Sequence, residues 1–127
     1  MPKYLTVGSY TAEGAKGLLK EGGTARRAAV ETMLKSVGAN LEAFYFGFGD
    51  NDAYVISEGP DNITAAAISL TISATGTVNT KTVVLLTPEE IDLASKKTVP
   101  FRAPGDQKKL LSSEKSSRKS VSPRPRR

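Results

Sequence analysis

Proton transfer in this chain would fall to tyrosine and carboxylate, because its 127 residues include neither His nor Cys. That deletion excludes thiol nucleophiles, disulfides, the usual zinc sites, haem held by His or Cys, and any Ser-His-Asp triad. The candidate acids and bases are Tyr4, Tyr10, Tyr45, Tyr54, Glu42, Asp50, Asp52 and Glu58. A carboxylate raised in pKa by burial beside a tyrosine could abstract a proton. The usual carrier at neutral pH is missing, which favours binding over catalysis.

Three local patterns could recognise a ligand. Asp50-Asn51-Asp52, with Glu58 further on, presents the clustered oxygens that Mg²⁺ and Ca²⁺ prefer. A tight hairpin selects the same residue types for its own backbone, so the turn reading is preferred and no metal is assigned. Phe46-Gly47-Phe48-Gly49 resembles the aromatic run with which RNA-recognition domains stack bases. It falls on the second strand instead of the third and leads into two aspartates, which makes packing the better reading. Arg26-Arg27, next to a glycine-rich stretch, could hold an anion at a helix N-terminus, or form a solvated face with one Arg paired to a carboxylate of a neighbouring subunit. Gly47-x-Gly49 joins strand to strand and offers no dinucleotide fingerprint, and no cofactor is assigned.

These residues need elements to position them. Residues 4–10 are rich in β-branched and aromatic types and read as a strand. Thr11 then caps a short helix weakened by Gly14 and Gly17 and broken near Gly22-Gly23. A stronger helix opens at Thr24, with Val30, Met33, Leu34 and Val37 on one face and Gly38 as its stop. Residues 41–48 and 53–57 form a hairpin around Gly49-Asp50-Asn51-Asp52. Asp61 caps a helix with an apolar stripe of Ile63, Ala66, Ala67 and Leu70, and a Val/Thr-rich strand follows over residues 77–86. Thr87-Pro88-Glu89-Glu90 combines a capping Thr, a Pro at the first helical position and a Glu three residues after the cap, launching a short helix to about Lys97.

The order is α+β: βαββαβ, a ferredoxin-like four-stranded antiparallel sheet with one extra C-terminal helix. Right-handed crossovers place both connecting helices on one face. Seven of the eight aromatic residues lie in the first three strands, with Phe44, Phe46 and Phe48 on one side of the second strand and Tyr45 on the other. Both faces of the sheet therefore need cover, which implies self-association into a dimer or higher oligomer, or a bound apolar ligand.

Charge divides the chain. The formal charge of +5 combines a net −2 over residues 1–98 with a net +7 over residues 99–127. The second segment carries four of the seven prolines and six serines, a composition that does not fold alone. Residues 1–98 are read as the domain and residues 99–127 as a disordered basic tail capable of weak, non-specific polyanion binding by counterion release. The sequence contains no apolar run long enough to span a bilayer and no apolar signal segment, so no membrane partner and a cytoplasmic location are expected.

Five stretches in order carry a family resemblance: Met1 to Leu5 with Gly8-Ser9-Tyr10-Thr11; Gly17 to Gly23 before Arg26-Arg27-Ala28; Leu41 to Phe46; Phe48 to Asp52 with Tyr54-Val55-Ile56; and Leu85 to Glu90. Over about residues 1–105 the chain resembles the GYD domain family, with Asn51 standing where the family's Tyr is expected. The resemblance implies a ferredoxin-like domain of the dimeric α+β barrel type, found mostly in bacteria, with no settled biochemical function. The expected function is an oligomeric small-molecule-binding domain, with Tyr10, Arg26, Tyr45, Asp50, Asn51, Asp52 and Tyr54 as ligand-pocket candidates. Two alternatives stay open: a cofactor-independent oxygenase or isomerase using Tyr and carboxylate, and a regulatory oligomer similar to PII-type sensors.

Overall fold

Thr11 starts the first helix and also ties it to the sheet. In the computed structural model, which describes residues 1–105, its hydroxyl accepts from the Gly14 N–H (3.2 Å) and donates toward the carbonyls of Gly76 (2.9 Å) and Thr77 (3.2 Å). The elements run β1 (Lys3–Tyr10), α1 (Ala12–Glu21), α2 (Gly23–Ser36), β2 (Asn40–Phe46), β3 (Ala53–Glu58), α3 (Asn62–Ala74), β4 (Val78–Leu85) and α4 (Pro88–Ser95). The chain divides into a first compact unit, Met1–Thr87, and a second that begins at Pro88. The second contains α4, and the basic tail expected over residues 99–127 lies outside the described residues from 106 onward.

The first unit is the expected α+β fold. Its sheet has the order β2-β3-β1-β4, antiparallel throughout, which is the ferredoxin-like arrangement. Among the described residues no helix is long and apolar enough to cross a membrane.

Gly22 confines the expected break between α1 and α2 to one residue. At φ 86° it sits where glycine escapes the steric penalty of other residues. Its N–H donates to the Leu18 carbonyl (2.8 Å), closing α1, and its carbonyl accepts from the Arg26 N–H (3.2 Å), opening α2. Arg26 is thereby fixed one turn into α2, next to the end of α1.

Two expectations differ from the structure. β2 ends at Phe46 instead of residue 48, because the Gly47 N–H donates to the Asp52 carbonyl (2.8 Å) and turns the chain; Phe48 is fully exposed. The inward face of α3 carries Thr64, Ala65, Ile68 and Ile72, whereas Ile63 and Leu70 are 81% and 72% exposed. The helix contains no charged residue, so apolar periodicity does not choose its rotation. Its N-terminus does: the Tyr4 hydroxyl donates to Asn62 Oδ1 (2.7 Å), and Asp61 Oδ1 accepts the Thr64 N–H (2.8 Å).

That cap titrates. The Thr64 N–H bond holds the Asp61 carboxyl below its ordinary value, so its stabilisation is present above the unfolded pKa of about 3.9 and is lost as pH falls through the folded value. Lys3, which pairs with Glu42 and with Glu58 (3.0 Å), depresses Glu58 in the same way. Asp61→Asn keeps an acceptor without a titration, so a plot of Tm against pH should lose part of its acid limb and retain the Glu58 part. Asp61→Ala should lower Tm at neutral pH as well. An unchanged acid limb in Asp61→Asn would show that the cap carries no pH dependence.

Candidate functional site

The sheet has two different faces. On one, cross-strand partners form two rows: Val83, Leu5, Ile56 and Ala43 in register, all apolar, then Lys81, Val7, Tyr54 and Tyr45. Tyr45 is 70% exposed and Val83 50%. Nothing in the described first unit covers this face, and Lys3, Glu42 and Glu58 form its ionic margin.

The other face looks toward α2 and α3 but does not close against them. Only Tyr4, Leu34, Ala39 and Ala53 are buried apolar residues among those described. Between sheet and helices lies a cavity of about 310 Å³. Packed interiors leave few voids larger than a water, and an engineered cavity of about 150 Å³ already takes benzene, so this space is not packing slack. The sequence creates it with small residues: Gly8 and Ala53 on adjacent strands, and Ala29 and Ala65 on the helices above, line it where larger side chains would fill it.

The walls are chiefly apolar, from Val30, Met33, Phe44, Val55, Ile68 and Ile72. Hydroxyl groups come from both sides, Thr6, Tyr10, Ser57, Thr80 and Thr82 from the sheet and Thr64, Ser69 and Thr71 from α3. Arg26 is the only charged side chain on the lining, and no carboxylate is among the lining residues. Two atoms of lining residues, Arg26 Nε and Thr80 Oγ1, are buried without a hydrogen-bond partner. Glu21 Oε2 lies 3.3 Å from Arg26 Nε; the pair is within ionic reach, but the carboxylate is off the N–H direction and does not satisfy it. Burial pushes the Tyr10 phenol above its usual range; Arg26 opposes this, while Glu21 and Asp52 add to it. The Tyr10 hydroxyl therefore keeps its proton at neutral pH and serves as a donor.

An orphaned buried hydroxyl has a measurable consequence. Leaving such a group unpaired costs about 1–3 kcal/mol, and Val matches the shape of Thr and suits a strand. Thr80→Val should therefore raise the Tm of the ligand-free protein, by an amount matching about 1 kcal/mol. A fall in Tm in thermal melts would show that the hydroxyl has a partner.

The residues expected at a site separate into three places. Tyr10 and Arg26 line the cavity. Tyr45 and Tyr54 pair across β2 and β3 on the opposite face, which no other element of the first unit covers. Asp50, Asn51 and Asp52 are occupied in tying the hairpin to β1: Asp52 Oδ2 accepts the Tyr10 N–H (2.8 Å), and Ser9 Oγ donates to the Asp50 carbonyl (2.8 Å) and toward Asn51 Oδ1 (3.3 Å). Among the described residues no three carboxylates gather as a cation site. Thr80 and the small residues Gly8, Ala29 and Ala65 were not singled out from sequence. A signal existed for Thr80, since Thr80 and Thr82 repeat hydroxyls at a two-residue spacing on one face of β4.

No curated protein and no solved structure matches the chain significantly. The family model of the GYD domain matches residues 4–94, which take in the sheet but for Lys3 and all the cavity-lining residues, and the chain belongs to the GYD domain family.

Proposed function

We propose that this protein is a small-molecule-binding domain that works as an oligomer. The observation that carries the reading is the cavity of about 310 Å³ between sheet and helices, at the small end of the range occupied by ligand sites and built largely of apolar walls with a few polar groups. Its size suits a two-ring molecule or one ring with a side chain, on the scale at which about 150 Å³ accepts benzene. Self-association is supported by the apolar row of Val83, Leu5 and Ile56, which no other element of the first unit covers and where Val83 is 50% exposed, since a sheet left apolar on its second face buries it against another layer.

Binding without turnover is favoured over a Tyr–carboxylate enzyme by the lining itself. Glu42, Asp50, Asp52 and Glu58 are not on it, and Tyr10, the lining phenol with a raised pKa, is held protonated. A base for proton abstraction is absent from the described walls.

Two measurements test the reading. Titration with naphthalene-2-carboxamide, a neutral two-ring probe, should give saturable binding and a rise in Tm. Light scattering at micromolar concentration should give at least twice the chain mass. A monomer overturns the assembly, and absence of binding overturns the ligand site.

A further inference from the structure

We infer that the cavity's ligand is an amphipathic organic monoanion: an aromatic or alicyclic body bearing one carboxylate, with the carboxylate held by Arg26. The inference rests on the cavity being a ligand site and specifies what enters it. A guanidinium is charged at every relevant pH and matches carboxylate geometry. Arg26 brings that charge to a wall otherwise made of hydrocarbon and hydroxyl groups. Its Nε–H is buried and makes no hydrogen bond, an arrangement that costs desolvation and is relieved when an acceptor arrives from inside the cavity.

Glu21 is the internal competitor. Its carboxylate sits 3.3 Å from Arg26 Nε, with the two side chains 37% and 35% exposed, so it can turn to water when a better-aligned acceptor displaces it. Its presence also sets the charge of the ligand. One arginine beside one glutamate, with no lysine on the lining, suits a single negative charge and disfavours a dianion such as a phosphate monoester. The protonated Tyr10 hydroxyl and the unpartnered Thr80 hydroxyl supply neutral donors for further oxygens on the same body. Both sit on the helix-facing side of adjacent strands, where Tyr10 pairs with Val78 and Gly8 with Thr80.

Isosteric probes separate this inference from the binding site itself. Naphthalene-2-carboxylate should bind the full chain roughly tenfold or more tighter than naphthalene-2-carboxamide, as a charge-assisted contact provides. The two Kd values should converge in Arg26→Met. In Glu21→Gln the gap should widen, because the competitor is gone while Arg26 remains, and this variant decides the matter if Arg26→Met fails to fold. Equal binding of acid and amide by the wild type, or a gap unchanged in both variants, overturns the monoanion while leaving the cavity a neutral-ligand site. Tighter binding of 2-naphthyl phosphate than of the carboxylate overturns the single-charge assignment. Binding of none of the three overturns the ligand site and the inference together.

Discussion

Gly14→Ala is expected to lower Tm by about 8 °C or more, and Gly17→Ala, three residues on in the same helix, to raise it. Both changes gain helix propensity, up to about 1 kcal/mol each. They differ in what the new methyl meets. A Cβ on Gly17 meets nothing within 4 Å, whereas a Cβ on Gly14 would lie 2.0 Å from the Thr77 carbonyl oxygen and 3.0 Å from Tyr10 Cδ1. The carbonyl is backbone at the start of β4 and cannot rotate away, so α1 must move off the sheet. That movement breaks the Thr11 N–H bond to the Thr77 carbonyl (3.0 Å) and the Thr11 hydroxyl contacts with Gly76 and Thr77. Overpacking costs about 1–3 kcal/mol, and each lost hydrogen bond about 1 kcal/mol. Net of propensity, about 2 kcal/mol is lost, which in a domain of this size is about 8–16 °C. Thermal melts of the two variants side by side decide it; a rise in Tm for both would place α1 farther from β4 than described. Because Tyr10 stands against Gly14 and on the cavity wall, the Gly14 variant should also weaken probe binding.

The elements were readable from the sequence because local chemistry and pattern agree. Thr11, Asp61 and the Thr87-Pro88 pair mark helix starts, the Asp/Asn hairpin residues mark the turn, and Val/Thr runs mark strands. The rotation of α3 was not readable, since a helix of Ile, Ala, Leu, Ser and Thr offers two apolar faces and long-range bonds through Tyr4 and Asp61 choose between them. The cavity was the hardest feature to foresee. A void is made by what is missing, and Gly8, Ala29, Ala53 and Ala65 come from four different elements, so no local spacing reveals that they face a common space. Chemistry-bearing residues drew attention to Asp50, Asn51 and Asp52, where the Asp50 carbonyl, Asn51 Oδ1 and Asp52 Oδ2 instead bond the backbone and hydroxyl of β1. Arg26 was visible as a candidate because its type is informative; its unpaired Nε–H depends on the bend at Gly22, a matter of three dimensions.

Ile56→Lys should at least halve the particle mass seen by light scattering and make the remaining monomer markedly less stable. Ile56 sits at the centre of the sheet face that the first unit leaves open, paired with Leu5 on one side and Ala43 on the other, with Val83 beyond Leu5. Two such faces packed against each other interdigitate at the usual sheet-to-sheet spacing of about 10 Å, where a lysine ammonium would be buried without an anion. The protein has a second apolar surface, the outer side of α3 with Ile63 and Leu70, and Ile63→Lys is the matching control. A sheet offers four strands of contiguous area with cross-strand rows in register, whereas α3 offers a single ridge, so the sheet is the larger burial and the expected interface. Because the ligand cavity lies on the opposite face of the same strands, losing the partner should reach it through β1: Val7 points to one side, and Thr6 and Gly8 to the other. Linkage then requires that the wild type melt at a temperature that rises with protein concentration, and that Ile56→Lys lose this dependence. If Ile63→Lys halves the mass and Ile56→Lys does not, α3 is the interface and the sheet face is left to water.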